Sequence, residues 1–145
     1  MQAKSAALMA EKKVKGRKRH IVVDILGCIL SVTVHAANIH DTKGGCTPAA
    51  KAFDKYPTIE KFSGDEGYRG TFVEYIGWDF DDVGVEISQR IKPEFEVLSK
   101  RWIVERSFAW LGNSRRLSKD FEISIASAEN MVLISNLHTL LKRLF

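Results

Sequence analysis

The stretch RHIVVDILGCILSVTVHAA, residues 19–37, decides the fold class of this chain. Hydrophobic residues alternate along both of its halves: Ile21, Val23 and Ile25, then Val32, Val34 and Ala36. Alternation with a period of two is typical of half-buried β-strands. Between the two halves, Asp24 and Gly27 fit the first and fourth positions of a type I turn. The stretch therefore predicts a β-hairpin.

The segments that follow the hairpin alternate between helical and strand patterns. Strands are predicted at 58–65 and 83–89. Helices are predicted after Thr47-Pro48, over 68–78, from about residue 100, and over the leucine-rich end of the chain after a cap at Ser127. This order of elements is typical of an α/β fold. Residues 1–13 are interpreted as a short helix or a frayed leader.

Length and composition indicate one intracellular domain. The 145 residues suffice for a single ordinary core. The two cysteines, Cys28 and Cys46, form neither a CxxC pair nor a zinc spacing. No apolar run approaches the roughly 20 residues that cross a bilayer, and no signal peptide is recognisable. We expect a cytoplasmic protein without a membrane span.

Charge is distributed unevenly along the chain. Residues 1–19 hold 7 basic and 1 acidic side chains, residues 20–99 hold 7 and 13, and residues 100–145 hold 8 and 4. Basic ends suit a polyanionic partner, because each neutralised phosphate releases counterions. A solvated basic surface explains the same pattern.

A possible site lies in FSGDEGYRG, residues 62–70, where a predicted strand ends at Asp65. A carboxylate at a strand end beside glycines can hold Mg²⁺, which prefers oxygen ligands. Asp and Gly are equally favoured in plain turns, so this stretch alone leaves both interpretations open.

In KRWIVERSFAWLGNSRR, residues 100–116, Glu105 lies at the edge of a predicted buried stripe. It fits either a second carboxylate of that site or a surface side chain.

Five stretches of the chain, taken in order, resemble a known family: KKVKGRKRHIVVDILG, VHAANIHD, GDEGYRG, RWIVERSFAWLG and RRLSKDFE. They resemble the C-terminal part of bacterial insertion-sequence transposases of the DDE type, in the group numbered five, related to group four. The resemblance runs from about Lys12 to the C-terminus. It implies a ribonuclease H-like fold in which two Asp and one Glu bind two Mg²⁺ or Mn²⁺ ions. There the metals activate water, then a DNA 3′-hydroxyl, for attack on phosphodiesters.

The resemblance also implies roles for individual residues. Asp65 matches the second carboxylate and Glu105 matches the glutamate, so both are expected to be catalytic metal ligands. Glu66 is interpreted as a neighbour of that site. Arg101, four positions before Glu105, matches an arginine that contacts DNA. Further DNA contacts are expected from other basic residues: Lys15, Arg17, Lys18, Arg19, Arg106, Arg115 and Arg116.

The first aspartate of the family is missing from its expected place. It precedes the KGRKRH block, on the strand at the centre of the sheet, but Glu11 is the only acidic residue before Arg19. Asp24 is explained by its turn, and Asp41 is interpreted as loop. We therefore expect a leader or truncated segment at residues 1–13, then an incomplete catalytic core at residues 14–145 that lacks the first, central strand.

The predicted function is that of a transposase that cleaves and joins DNA at terminal inverted repeats and target sites. The chain is expected to be inactive unless an upstream segment supplies the first Asp, as for a downstream reading-frame product, or to be a degenerate copy. Expected protein partners are further copies of itself, an upstream-frame product or a full-length transposase. The alternative is a non-catalytic DNA-binding or regulatory transposase fragment.

Overall fold

A computed structural model describes residues 5–14, 16–88, 101–117 and 122–145, except for the side chains at positions 5, 14, 88 and 101. Within this part of the chain, one mixed sheet of five strands has the order β3-β2-β1-β4-β5. The strands are β1 (Ser5–Val14), β2 (Arg17–Val23), β3 (Ile29–Ala36), β4 (Ile59–Asp65) and β5 (Gly84–Ser88).

The hairpin prediction is confirmed. Strands β2 and β3 pair antiparallel, and the Gly27 amide donates to the Asp24 carbonyl at 3.0 Å. The Asp24 carboxylate accepts from the amides of Leu26 and Cys28, both at 2.9 Å. These local bonds satisfy the backbone of the turn and set the register of the two strands.

The expectation of a missing central strand is wrong, because β1 occupies the centre of the sheet. It pairs antiparallel with β2 and parallel with β4. Ala7, Leu8 and Met9 are at most 4% exposed. Residues 5–13 are therefore neither a helix nor a frayed leader. Their Ala, Leu, Met, Glu and Lys favour helix intrinsically, but hydrogen-bonded ladders on both edges and burial on both faces outweigh that preference.

Helices cover both faces of the sheet. They are α1 (Asp41–Gly44), α2 (Cys46–Lys55), α3 (Thr71–Asp79), α4 (Arg101–Gly112) and α5 (Ile125–Leu144). Two caps differ from prediction: α2 begins at Cys46, one residue before Thr47, and Ser124 rather than Ser127 caps α5 by accepting from the Ser127 amide. None of the described helices combines the length and hydropathy needed to span a membrane.

Each face of the sheet has its own core. The first core lies under α2 and α3 and centres on large aromatic side chains, Phe62, Tyr68 and Phe72. The second core joins Leu8 of β1 to Ile103 and Val104 of α4. The alternation of side chains along β1 divides it between the two cores, with Ala7 and Met9 in the first and Leu8 and Ala10 on the second.

Candidate active site

Asp65 ends β4, directly beside the central strand. Its side chain is exposed, and one carboxylate oxygen accepts from the Gly67 amide at 3.0 Å, which caps a 3₁₀ turn over Glu66–Tyr68. A β-carbon at Gly64 would lie 2.9 Å from the buried Tyr68 ring, so the turn requires a residue without a side chain there. The turn interpretation of this stretch is therefore correct, and the turn holds Asp65 at the C-terminal edge of the sheet.

Glu66, next to Asp65 in the sequence, pairs with an arginine of the same turn. Its two carboxylate oxygens pair with Arg69, at 2.6 Å from Nε and 3.0 Å from Nη2. Both side chains are about half exposed. Exposed pairs of this kind contribute little to stability, so Glu66 serves as a surface residue of the turn.

Two acidic residues that the sequence analysis left outside the site, Asp41 and Glu11, lie near Asp65. A β-carbon at Gly67 would be 3.1 Å from an oxygen of Asp41 and 3.1 Å from an oxygen of Asp65, so the two carboxylates flank the same point. Glu11, on β1, has one buried carboxylate oxygen without a hydrogen-bond partner among the described residues. Burial raises the pKa of Glu11, and the charges of Asp41 and Asp65 raise it further.

Glu105 lies on α4, on the second face of the sheet. Its side chain is exposed, whereas Ile103 and Val104 just before it are buried against Leu8. Among residues 5–14, 16–88, 101–117 and 122–145, no three Asp, Glu, His or Cys side chains converge closely enough to hold a metal ion. Asp65 and Glu105 therefore both lie in the described part of the chain, but there they are not part of a complete set of metal ligands.

The basic side chains at residues 17–19 contact the protein more than the solvent. Lys18 pairs with Asp41 at 2.7 Å. Arg17 donates to the carbonyls of Glu122 and Ile123, and Arg19, 7% exposed, donates to the carbonyl of Leu117 at 2.9 Å. These bonds fasten Leu117, Glu122 and Ile123 to β2. Lys15 lies outside the described residues.

Arginines of the second basic block have different surroundings. The Arg106 guanidinium lies between two rings, 4.7 Å from the centre of Trp102 and 4.5 Å from that of Trp110, and donates to the Leu26 carbonyl. Arg116 pairs with Glu122 at 2.6 Å. Arg115 is exposed. Arg101 begins α4, and its side chain is outside the described part of the chain.

A buried polar cluster supports the turn that carries Asp65. Nδ1 of His20 and the Tyr68 hydroxyl are hydrogen-bonded at 3.0 Å, and the His20 ring stacks on that of His35 with centroids 4.6 Å apart. Burial, and after it the charge of His35, lower the pKa of His20 to about 4. The ring is therefore neutral at pH 7. Tyr68 is also buried, and burial raises its pKa well above the usual value of 10.0.

His20 should make the stability of the fold depend on pH. The ordinary pKa of 6.5 applies in the unfolded chain and a value of about 4 in the folded protein. A proton therefore binds the unfolded chain first. The free energy of unfolding is therefore highest above pH 6.5. It decreases as the pH falls toward 4, by about 3 kcal/mol in total. Urea unfolding across this range should show a shallower pH dependence for His20→Gln. An unchanged slope would contradict the assignment.

Comparison with known proteins agrees with this geometry. The family model of the transposase DDE domain matches residues 3–140. The chain belongs to the DDE transposase family. It is 34% identical to a Burkholderia cepacia protein assigned as transposase of insertion sequence element IS402, over 74% of this chain and 54% of that protein. The chain therefore spans about half the length of this relative. The resemblance to insertion-sequence DDE transposases is confirmed.

The fold of this DDE transposase domain also has a solved counterpart. The crystal structure of the catalytic core domain of BIV integrase superposes with a TM-score of 0.64 and 11% identity, covering 92% of this chain and 83% of that one. The predicted ribonuclease H-like α/β fold is confirmed. Family membership implies use of a divalent metal. The assignment to group five, the C-terminal origin of the chain and the roles of Asp65 and Glu105 stay predictions.

Proposed function

We propose that the chain is the catalytic core of an insertion-sequence transposase that cleaves DNA strands at terminal inverted repeats and joins them to target DNA with Mg²⁺ or Mn²⁺. The observation that carries this proposal is the position of Asp65, at the C-terminal end of a strand beside the central strand, in a sheet of the integrase-core type. A carboxylate there would hold a metal ion beside the DNA backbone. The ion would activate water for attack on the phosphodiester, so no covalent enzyme intermediate is needed.

The described residues do not fit a complete metal site, and we propose that one carboxylate is absent. The parallel register pairs Leu8 with Ser63, and its continuation brings Ala10 level with Asp65. Ala10 also packs on the second core, on the face of the sheet that is covered by α4, the helix that carries Glu105. We assign Ala10 to the place of the first aspartate. Because β1 already fills the centre of the sheet, an upstream segment that supplies this carboxylate must displace β1 or reach Asp65 from the edge.

DNA cleavage tests the proposal directly. The chain alone, a fusion to an upstream segment that carries an aspartate, and variants of that fusion are incubated with Mg²⁺ or Mn²⁺ and DNA bearing the terminal repeats. The fusion should cleave, whereas Asp65→Ala and Glu105→Ala should each lower its rate by about 100-fold or more. Glu66→Ala is the matched control and should keep the rate. Full activity in both Asp65→Ala and Glu105→Ala would refute the site assignment.

A second function is a non-catalytic DNA-binding fragment that regulates a complete transposase. The failure of three acidic side chains to converge in the described residues favours it. It predicts DNA binding that weakens steeply with salt, without cleavage in either metal, for the chain and for the fusion alike. Cleavage by the fusion excludes it.

A further inference from the structure

Helix α5 has two hydrophobic faces. One face is buried in the fold through Ala128, Val132 and Ser135. The other, which we name the outer face of α5, is made of Ile134, Leu137, Leu141 and Leu144, which are 57%, 56%, 44% and 77% exposed. At 3.6 residues per turn the two sets lie on roughly opposite sides of the helix. A helix that is apolar on both sides is ordinarily covered on both.

The spacing along the outer face indicates what covers it. Ile134, Leu137, Leu141 and Leu144 follow one another at intervals of three, four and three residues, which is the heptad spacing of a coiled-coil seam. Leu133, beside the seam, is 38% exposed and widens it. An apolar seam of this period fits another α-helix better than a sheet or a flat surface.

The composition of the seam points to a helix with the same sequence. Asn130, which is exposed, continues the row one turn before Ile134. An asparagine amide both donates and accepts, so its best partner within an apolar seam is the same asparagine of a second copy. The charged residues of the last turn, Lys142 and Arg143, lie outside the seam and do not select an oppositely charged partner.

We propose that two copies of the chain associate through the outer faces of their α5 helices, parallel and in register. The intervals place Ile134 and Leu141 at the a positions of the heptad and Leu137 and Leu144 at the d positions. A β-branched residue at a with leucine at d, as at Ile134 and Leu137, favours two strands in a parallel coiled coil. In this arrangement Asn130 meets its counterpart, whereas an antiparallel pair, which packs a positions against d positions, would set it opposite Leu141. The rest of each domain packs on the far side of α5, so the two cores do not collide.

Sedimentation equilibrium of the whole 145-residue chain tests the association. The chain should be a dimer, and Leu137→Glu should raise the dissociation constant by about 30-fold or more, because a charge would enter the apolar seam. Ile123→Glu is the matched control: Ile123 is 95% exposed, lies outside α5, and should leave the dimer intact. Unchanged circular dichroism of Leu137→Glu would establish that the variant folds. A monomeric parent chain, or a Leu137→Glu dimer of unchanged affinity, would overturn the proposal.

Disulfide trapping tests the direction of the pair. Asn130→Cys should form a cross-chain disulfide with itself under mild oxidation, whereas the parent chain, with Cys28 and Cys46, should form none. A mixture of Asn130→Cys and Leu141→Cys should give the two homodimers and no mixed dimer. A mixed disulfide as the main product would overturn the parallel arrangement.

Discussion

Replacing Gly44 by alanine should lower the free energy of unfolding by about 2 kcal/mol and the melting temperature by about 5 °C. A β-carbon at this position would lie 2.8 Å from Nε2 of His20 and closer still to Nε2 of His35. Neither ring can move away easily. His20 is fully buried and bonded to Tyr68, and His35 is stacked on it with Nδ1 bonded to the Ala36 carbonyl at 2.8 Å. Urea unfolding measures the loss.

Gly77→Ala is the matched control for this substitution, with the opposite sign. Gly77 lies inside α3, and a β-carbon there would meet nothing within 4 Å. Alanine should therefore raise the free energy of unfolding by about 0.5–1 kcal/mol, since it favours the helix and restricts the unfolded chain. In a His35→Ala background the cost of Gly44→Ala should shrink. Equal effects of Gly44→Ala in both backgrounds would show that the rings are not its cause.

The sequence predicted those parts of the fold whose information is local. The β2–β3 hairpin combines alternating hydrophobic residues with turn chemistry at Asp24 and Gly27, and both are decided within a few residues. The end of β4 at Asp65 was predicted for the same reason. Strand β1 was missed because its own residues favour helix, and its strand conformation depends on ladders with β2 and β4 that distant residues provide.

The candidate site shows the same division between local and distant information. Asp65 was predicted from its motif, whereas Asp41 was interpreted as loop and Glu11 was assigned no role, because only the topology of the sheet brings them near Asp65. Net charge identified the basic residues as a class. It could not distinguish a side chain that meets phosphate from one such as Arg17 or Arg19, which donates to backbone carbonyls about a hundred residues away. Both uses favour arginine, since its planar fork matches several acceptors.

Ala10→Asp should convert the chain into a tighter binder of divalent metal. The new carboxylate would lie level with Asp65 on the central strand, on the side of the second core. Without metal, its proximity to other carboxylates should lower the melting temperature. Mg²⁺ or Mn²⁺ at about 100 times its dissociation constant should then add about 2.7 kcal/mol, a melting shift of several degrees. The parent chain should shift by less than about 1 °C. Calorimetric titration with Mn²⁺ measures the same gain directly.

Three variants separate a metal site at Ala10 from other causes of such a shift. Ala10→Asn has nearly the shape of Ala10→Asp without the charge, and should show no metal-dependent melting shift. Adding Asp65→Asn to Ala10→Asp should remove the shift, because the two carboxylates would share the ion. Glu11→Gln tests the competing arrangement on the first face of the sheet, where Glu11 and Asp41 approach Asp65. If the parent chain binds Mn²⁺ as tightly as Ala10→Asp, and Glu11→Gln abolishes that binding, then the acidic group on the first face, and not Ala10, marks the metal site.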